Sequence, residues 1–250
     1  MIIPYSSLFA MLLLASGIAS AQLPAAEASH KPATQEQAKK TDAGWVSYRN
    51  VYKLMIRFEK YGKQKNLIQN HLQILTRQGN YAPDDLELTL VSKSMRLGLP
   101  LDAAGRANFP LLKSAYDENA ELLVNHAPEQ LIFQSRISII PRADGVYEMT
   151  ELRAACEQAW TYLKNEGDVT VADKKCTGVK FAYGRNIEQA LIRFRSGTQQ
   201  LTALPVQDGN PFSNELPRIN KIAHIRFADA ADKGQVLTQN APVIITPMFE

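Results

Sequence analysis

The side chains able to do covalent or metal chemistry are few in this chain. Cysteine occurs twice, at Cys156 and Cys176, and histidine four times, at His30, His71, His126 and His224. Two cysteines allow one intramolecular pairing, and a disulfide closing a loop of this length contributes on the order of 3 kcal/mol. A zinc site would need two further ligands at short spacing, and the histidines stand singly. Cys-x-x-Cys, the dithiol of disulfide exchange, is absent, as are the Gly-x-Ser-x-Gly elbow, Ser-x-x-Lys, Cys-Gly-x-Cys and His-Glu-x-x-His. No Gly-rich turn leads into a helix, so nucleotide phosphates have no cradle. His224 lies in Ile222-Ala-His-Ile-Arg-Phe227, where a period of two sets it beside Ile222 and Arg226. It has the right chemistry for a general base, but a sheet histidine is the favoured reading. His126, next to Asn125, reads as loop polarity, and His71 sits in a mixed polar and apolar segment. The acidic pairs Asp84-Asp85 and Asp117-Glu118 read as solvated turns. The expectation is therefore no catalytic residue, no metal and no cofactor.

What remains is surface chemistry. Arg193 and Arg195 project from one side of a strand whose other side carries Ile192 and Phe194, and Lys180 on a neighbouring strand is expected to share their side. Such a basic strip suits an anionic lipid head group, a glycan or an acidic partner, with an ordinary solvated face as the competing reading. The formal net charge of +3 over 250 residues is a weak field without a clustered basic stripe, which argues against nucleic acid.

These groups must be positioned by ordinary globular structure, since hydrophobic residues make up 45% and charged residues 21%, close to the average for such chains. Residues 1–21 carry no charge, have the apolar centre Leu8-Phe-Ala-Met-Leu-Leu-Leu-Ala15, and end in Ala19-Ser-Ala21. They read as a cleaved signal peptide with Gln22 as the new N-terminus; because no Lys or Arg precedes the centre, a retained membrane anchor is the competing reading. No span of membrane-crossing length follows it. Residues 22–43, rich in Ala, Lys, Gln, Thr and Pro, read as a disordered tether, with order beginning near Trp45.

Beyond the tether, Tyr48, Val51, Tyr52, Met55 and Ile56 recur at helical spacing, as do Leu152, Ala155, Cys156, Ala159, Trp160 and Leu163 after Thr150, which is expected to cap that helix. Leu67–Leu75 fits helix or strand. Alternation over Leu86–Leu90, 95–101 and Val179–Tyr183, and apolar runs over 119–125, Leu131–Pro141, 191–195, 222–227 and 243–246, predict strands. The fold expected for residues 44–250 is a single α+β domain: short antiparallel strands forming a sheet with amphipathic helices packed against it. A loose echo links Leu99-Pro100-Leu101-Asp102 to Leu204-Pro205-Val206 with Asp208, and Asn125-His-Ala-Pro128 to Asn240-Ala-Pro242. It would divide the chain into two similar halves meeting near Val146, although the undivided reading is preferred.

The layout over residues 45–183, together with the export peptide and one disulfide, resembles small exported bacterial proteins known only as domains of unknown function. That resemblance implies a periplasmic or secreted address and an interaction role, and it transfers no site residue. The expected function is non-catalytic binding of a cell-envelope protein or an anionic envelope ligand. The rival is a hydrolase of an envelope polymer using His224 as base. The intact mass of the exported protein should begin at Gln22 and lie two hydrogens below the reduced value; a species retaining Met1 would refute the cleavage.

Overall fold

A computed structural model describes residues 44–78, 83–184, 187, 191–196, 201–212, 220–230 and 232–250. Residues 1–43, expected above to be a signal peptide and a tether, and His30 among them, lie outside the described residues. The chain runs β1 (Gly44–Ser47), α1 (Tyr48–Lys60), β2 (Ile68–Thr76), β3 (Leu88–Val91), β4 (Arg96–Gly98), β5 (Arg106–Ala107), α2 (Lys113–Asp117), β6 (Glu121–Val124) and β7 (Leu131–Ile139). It continues through β8 (Val146–Glu148), α3 (Met149–Asn165), β9 (Cys176–Tyr183), β10 (Ile192–Ser196), β11 (Thr202–Ala203), β12 (Gln207–Gly209), β13 (Asn220–Arg226), β14 (Gly234–Thr238) and β15 (Ile244–Phe249).

This is a β-rich fold, which corrects the expected α+β class. Among the described residues fifteen strands form three antiparallel sheets, against three α-helices. The reason is strand length. β5, β8, β11 and β12 have two or three residues each, too few for a period of two to show in the sequence. The spacing marks α1, α3 and most of the longer strands, leaves β2 open between helix and strand, and passes over these short strands.

Strand order shows how the pieces are arranged. One four-stranded sheet runs β1-β6-β3-β4 and the other β8-β14-β10-β11, while β12-β13-β9-β15-β7-β2-β5 makes a seven-stranded sheet. The two small sheets share one plan: a strand leading directly into a helix pairs with the penultimate strand of its series, which pairs with the second strand after the helix. The same small devices recur in both. Asn125 Oδ1 accepts the N–H of Glu87 at 2.8 Å just before β3, and Asn240 Oδ1 accepts that of Leu191 at 3.1 Å just before β10. The Leu99 N–H donates to Leu88 O at 2.8 Å, as Leu204 N–H does to Ile192 O at 3.0 Å.

Helix α1 buries Tyr48, Val51, Met55 and Phe58, one face at three- and four-residue spacing. Its first N–H finds Ala120 O at 3.1 Å, and the Lys65 ammonium donates to Phe58 O and Glu59 O at its C-terminal end. These contacts satisfy groups that a helix leaves open. Helix α3 begins at Met149 after Glu148, so Thr150 lies inside the first turn rather than at the cap. Met149, Leu152, Ala155, Cys156, Ala159 and Tyr162 are its buried residues; Trp160 is half-buried and donates its indole N–H to Val171 O at 3.2 Å.

One core gathers Tyr48, Val51 and Met55 with Leu72 and Ile74 of β2 and Leu90 and Leu122 of the first small sheet. A second gathers Leu152 and Cys156 with Val179 and Phe181 of β9 and Ile192 and Val236 of the other small sheet. A third joins the helices, where the Tyr162 ring meets those of Phe58 and Tyr61 edge-on at 5.2 and 5.1 Å. Close backbone packing on β9 requires Gly178, because a Cβ there would sit 2.3 Å from Ile225 O.

Cys156 and Cys176 form a disulfide, with Cα atoms 6.0 Å apart. It ties the buried face of α3 to the first residue of β9. Replacing Cys176 by Ser should lower the unfolding free energy by about 3 kcal/mol. Urea denaturation of the oxidised wild type and the variant checks this.

Candidate functional site

The seven-stranded sheet has one apolar face against α1 and α3 and one face rich in polar residues. Antiparallel partners project to the same side, so the register places His71 beside Arg136, Gln73 beside Arg106, and His224 and Thr246 on either side of Lys180. The apolar side carries Leu72, Ile74, Val179, Phe181, Ile225 and Ile245.

Most charges on the polar face are neutralised locally. Asp102 accepts the N–H groups of Ala104 and Arg106 at 2.8 and 3.0 Å and holds the Arg106 guanidinium through Nε and Nη2 at 2.9 and 2.6 Å. Arg106, almost wholly buried, also donates to Val243 O at 2.8 Å. Arg226 makes a two-pronged pair with Glu250 at 2.8 and 2.9 Å. Arg136 donates to Gln73 Oε1 at 2.6 Å and stacks its guanidinium 4.4 Å from the centre of the Phe212 ring.

Lys180 is different. It is half-buried at the middle of the sheet and makes no hydrogen bond or ion pair with any of the described residues. Burial pushes its ammonium below the usual lysine range.

The space around Lys180 follows from sheet geometry. β7 pairs with β2 over nine residue pairs and β15 with β9 over six, while β7 and β15 pair with each other only at Ile139 and Ile245. Past that pair the strands part. A cavity of about 260 Å³ opens between Ser135–Ile137 of β7 and Thr246–Phe249 of β15 with Glu250 beyond it, and the turns that follow α3 line one end. Lys180 and Met248 line it and also line a shallower cavity of about 250 Å³ that holds His224 and Arg226. Thr246, buried at the junction, donates its hydroxyl to Pro211 O at 2.9 Å and so pins the segment that carries Phe212 across the face.

The sequence-based basic strip is therefore split. Lys180 lies in the large sheet, whereas Arg193 and Arg195 lie on β10 of a small one. There Arg193 is exposed, and Arg195 is engaged by Gln235, whose amide donates to Glu148 across the next strand. Arg136, Met248 and Phe212 were missed. Arg136 stands in the apolar run of β7, and its polar, odd-one-out character among Ile, Phe and Ser residues was the available signal. His224 has no hydrogen-bonded carboxylate or hydroxyl among the described residues; its cross-strand neighbour is Lys180, and it shares the shallow cavity with Arg226. His126 meets Asp85 at 3.1 Å in an exposed turn. No group of three or more His, Cys, Asp or Glu suited to a metal ion occurs among the described residues, and none of their helices is long and apolar enough to cross a membrane.

No family model, no curated protein and no solved structure matches the chain. The resemblance to exported bacterial domains thus has no match behind it, and the site must be read from its own geometry.

His71 adds a pH dependence to this face. Burial, and then the nearby Arg106 cation, hold its pKa below the ordinary value of 6.5, and its buried Nδ1 has no hydrogen-bond partner among the described residues. The unfolded chain then binds a proton that the folded chain resists, so stability is full above about pH 6.5 and falls as pH drops below it. Thermal melting at pH 7.5 and 5.5 should show a loss that His71→Gln diminishes.

Proposed function

We propose that the chain is a non-catalytic protein of the cell envelope, exported to the periplasm or secreted, that binds an anionic ligand or partner group at the polar face of its large sheet. The observation that carries this reading is Lys180, a half-buried cation between two cavities that no described carboxylate neutralises. Burying a charge is costly unless something pairs with it. A fold with no use for an anion at this point would gain stability from an apolar residue instead. The disulfide supports the address, because such bonds persist in oxidising compartments.

Lys180 also changes which residues carry the binding expected of a basic strip. Arg195 is tied into a cross-strand ladder on a different sheet, so the anion-binding role falls to Lys180 with Arg136 near it. Native mass spectrometry of the mature protein recovered from the envelope should show a non-covalently bound anionic species. Lys180→Met should lose it. Bare protein in both spectra would sink the proposal.

A further inference from the structure

Resting on that reading, we infer that the cavity between β7 and β15 takes a small organic carboxylate with an apolar body, of aryl or short alkyl type, its head on Lys180 and its body among Met248, Phe212 and Phe249. Two features of the cavity favour an amphiphile over an inorganic ion or a sugar. The first is its lining: the cations Lys180 and Arg136 stand at one side, while Ile137, Leu163, Val171 and Phe249 supply apolar wall. An ion such as phosphate would leave that wall wet, and a glycan would bury hydroxyls against it without partners.

The second feature is the state of the acids. Asp168 and Glu250 also line the cavity, but each is already committed. Asp168 accepts from Thr170 N and Oγ1 at 2.8 and 2.6 Å, and Glu250 holds Arg226. Asp168 keeps its charge, since its partners are neutral, but with Glu250 paired to Arg226 the cations Lys180 and Lys174 outnumber it, and the cavity is biased toward an anion. The carboxylate head would give the half-buried Lys180 an ion pair that no described residue supplies.

Size sets the upper bound. About 260 Å³ is below the roughly 300–1,000 Å³ of drug-sized sites. A diacyl lipid cannot be enclosed; a single ring or a short chain with a carboxylate can.

Calorimetric titration of the mature, oxidised protein with phenylacetate, phenylacetamide, acetate and inorganic phosphate tests this. The three organic probes separate charge from apolar body. Phenylacetate should bind, and removing its charge (phenylacetamide) or its ring (acetate) should weaken binding roughly tenfold or more. Lys180→Met should weaken phenylacetate by a similar factor and Lys180→Arg should largely retain it, each variant being checked for wild-type circular dichroism. If Lys180→Met does not fold, the ligand series on the wild type and Lys180→Arg still decides. Equal binding of phenylacetamide, or of acetate, overturns the inference, as does phenylacetate binding that ignores Lys180→Met. Phosphate binding through Lys180 without phenylacetate binding overturns the amphiphile while leaving the anion-binding reading intact. No Lys180-dependent anion binding at all removes both.

Discussion

One pairing joins the two series of elements into a single sheet. β7 is committed to β2 along its whole length, and β15 is committed to β9. Their mutual contact is reduced to Ile139 opposite Ile245. A strand has only two edges, and its backbone groups seek partners on both. Where β7 and β15 part, side chains from both faces of the sheet must line the gap, and this gap is the cavity. On the helix side the junction is backed by Tyr162 against Phe58 and Tyr61, with Ile68 and Ile137 beneath them. The sheet can therefore open locally without the two series separating.

Charge placement on the polar face follows a pattern of local pairing around one exception. Asp102 with the buried Arg106, and Glu250 with the exposed Arg226, are two-pronged pairs. A pair with a buried guanidinium, as in Arg106 with Asp102, contributes more to positional specificity than to net stability, since desolvation offsets much of its attraction. Lys180 sits between two such pairs and belongs to neither. Arg136, a few ångströms from the Phe212 ring and bound to Gln73, is oriented by its neighbours and presents its plane along the cavity wall. The Thr246 hydroxyl holds the Pro211-Phe212 segment over this region. Orientation of a binding group by packed neighbours lowers the entropy lost when a ligand arrives.

Much of the framework was legible in the residues. The faces of α1 and α3 are written in three- and four-residue spacing, and β7 shows in its long apolar run and β9 in the alternation over Val179–Tyr183. The disulfide was expected because two cysteines allow a single intramolecular pairing. The fold class did not follow. β5 and β11 have two residues each, and such strands exist only because a neighbouring strand supplies their hydrogen bonds.

The candidate site was least legible. Local alternation correctly put Arg193 and Arg195 on one side of their strand, because side-chain direction along a strand is a property of the backbone itself. Which strands lie next to each other is a property of long-range pairing, and that put Lys180 beside His224 and Thr246 rather than beside the arginines. The amino-acid sequence by itself determined α1, α3, long strands such as β7 and β9, and the cysteine pair, all of which depend on composition or near-neighbour spacing. Only the tertiary structure decided the three-sheet architecture, the cavity and the isolation of Lys180. Each of these depends on which distant segments meet, and on where two strands, each already paired on its far edge, stop pairing with each other.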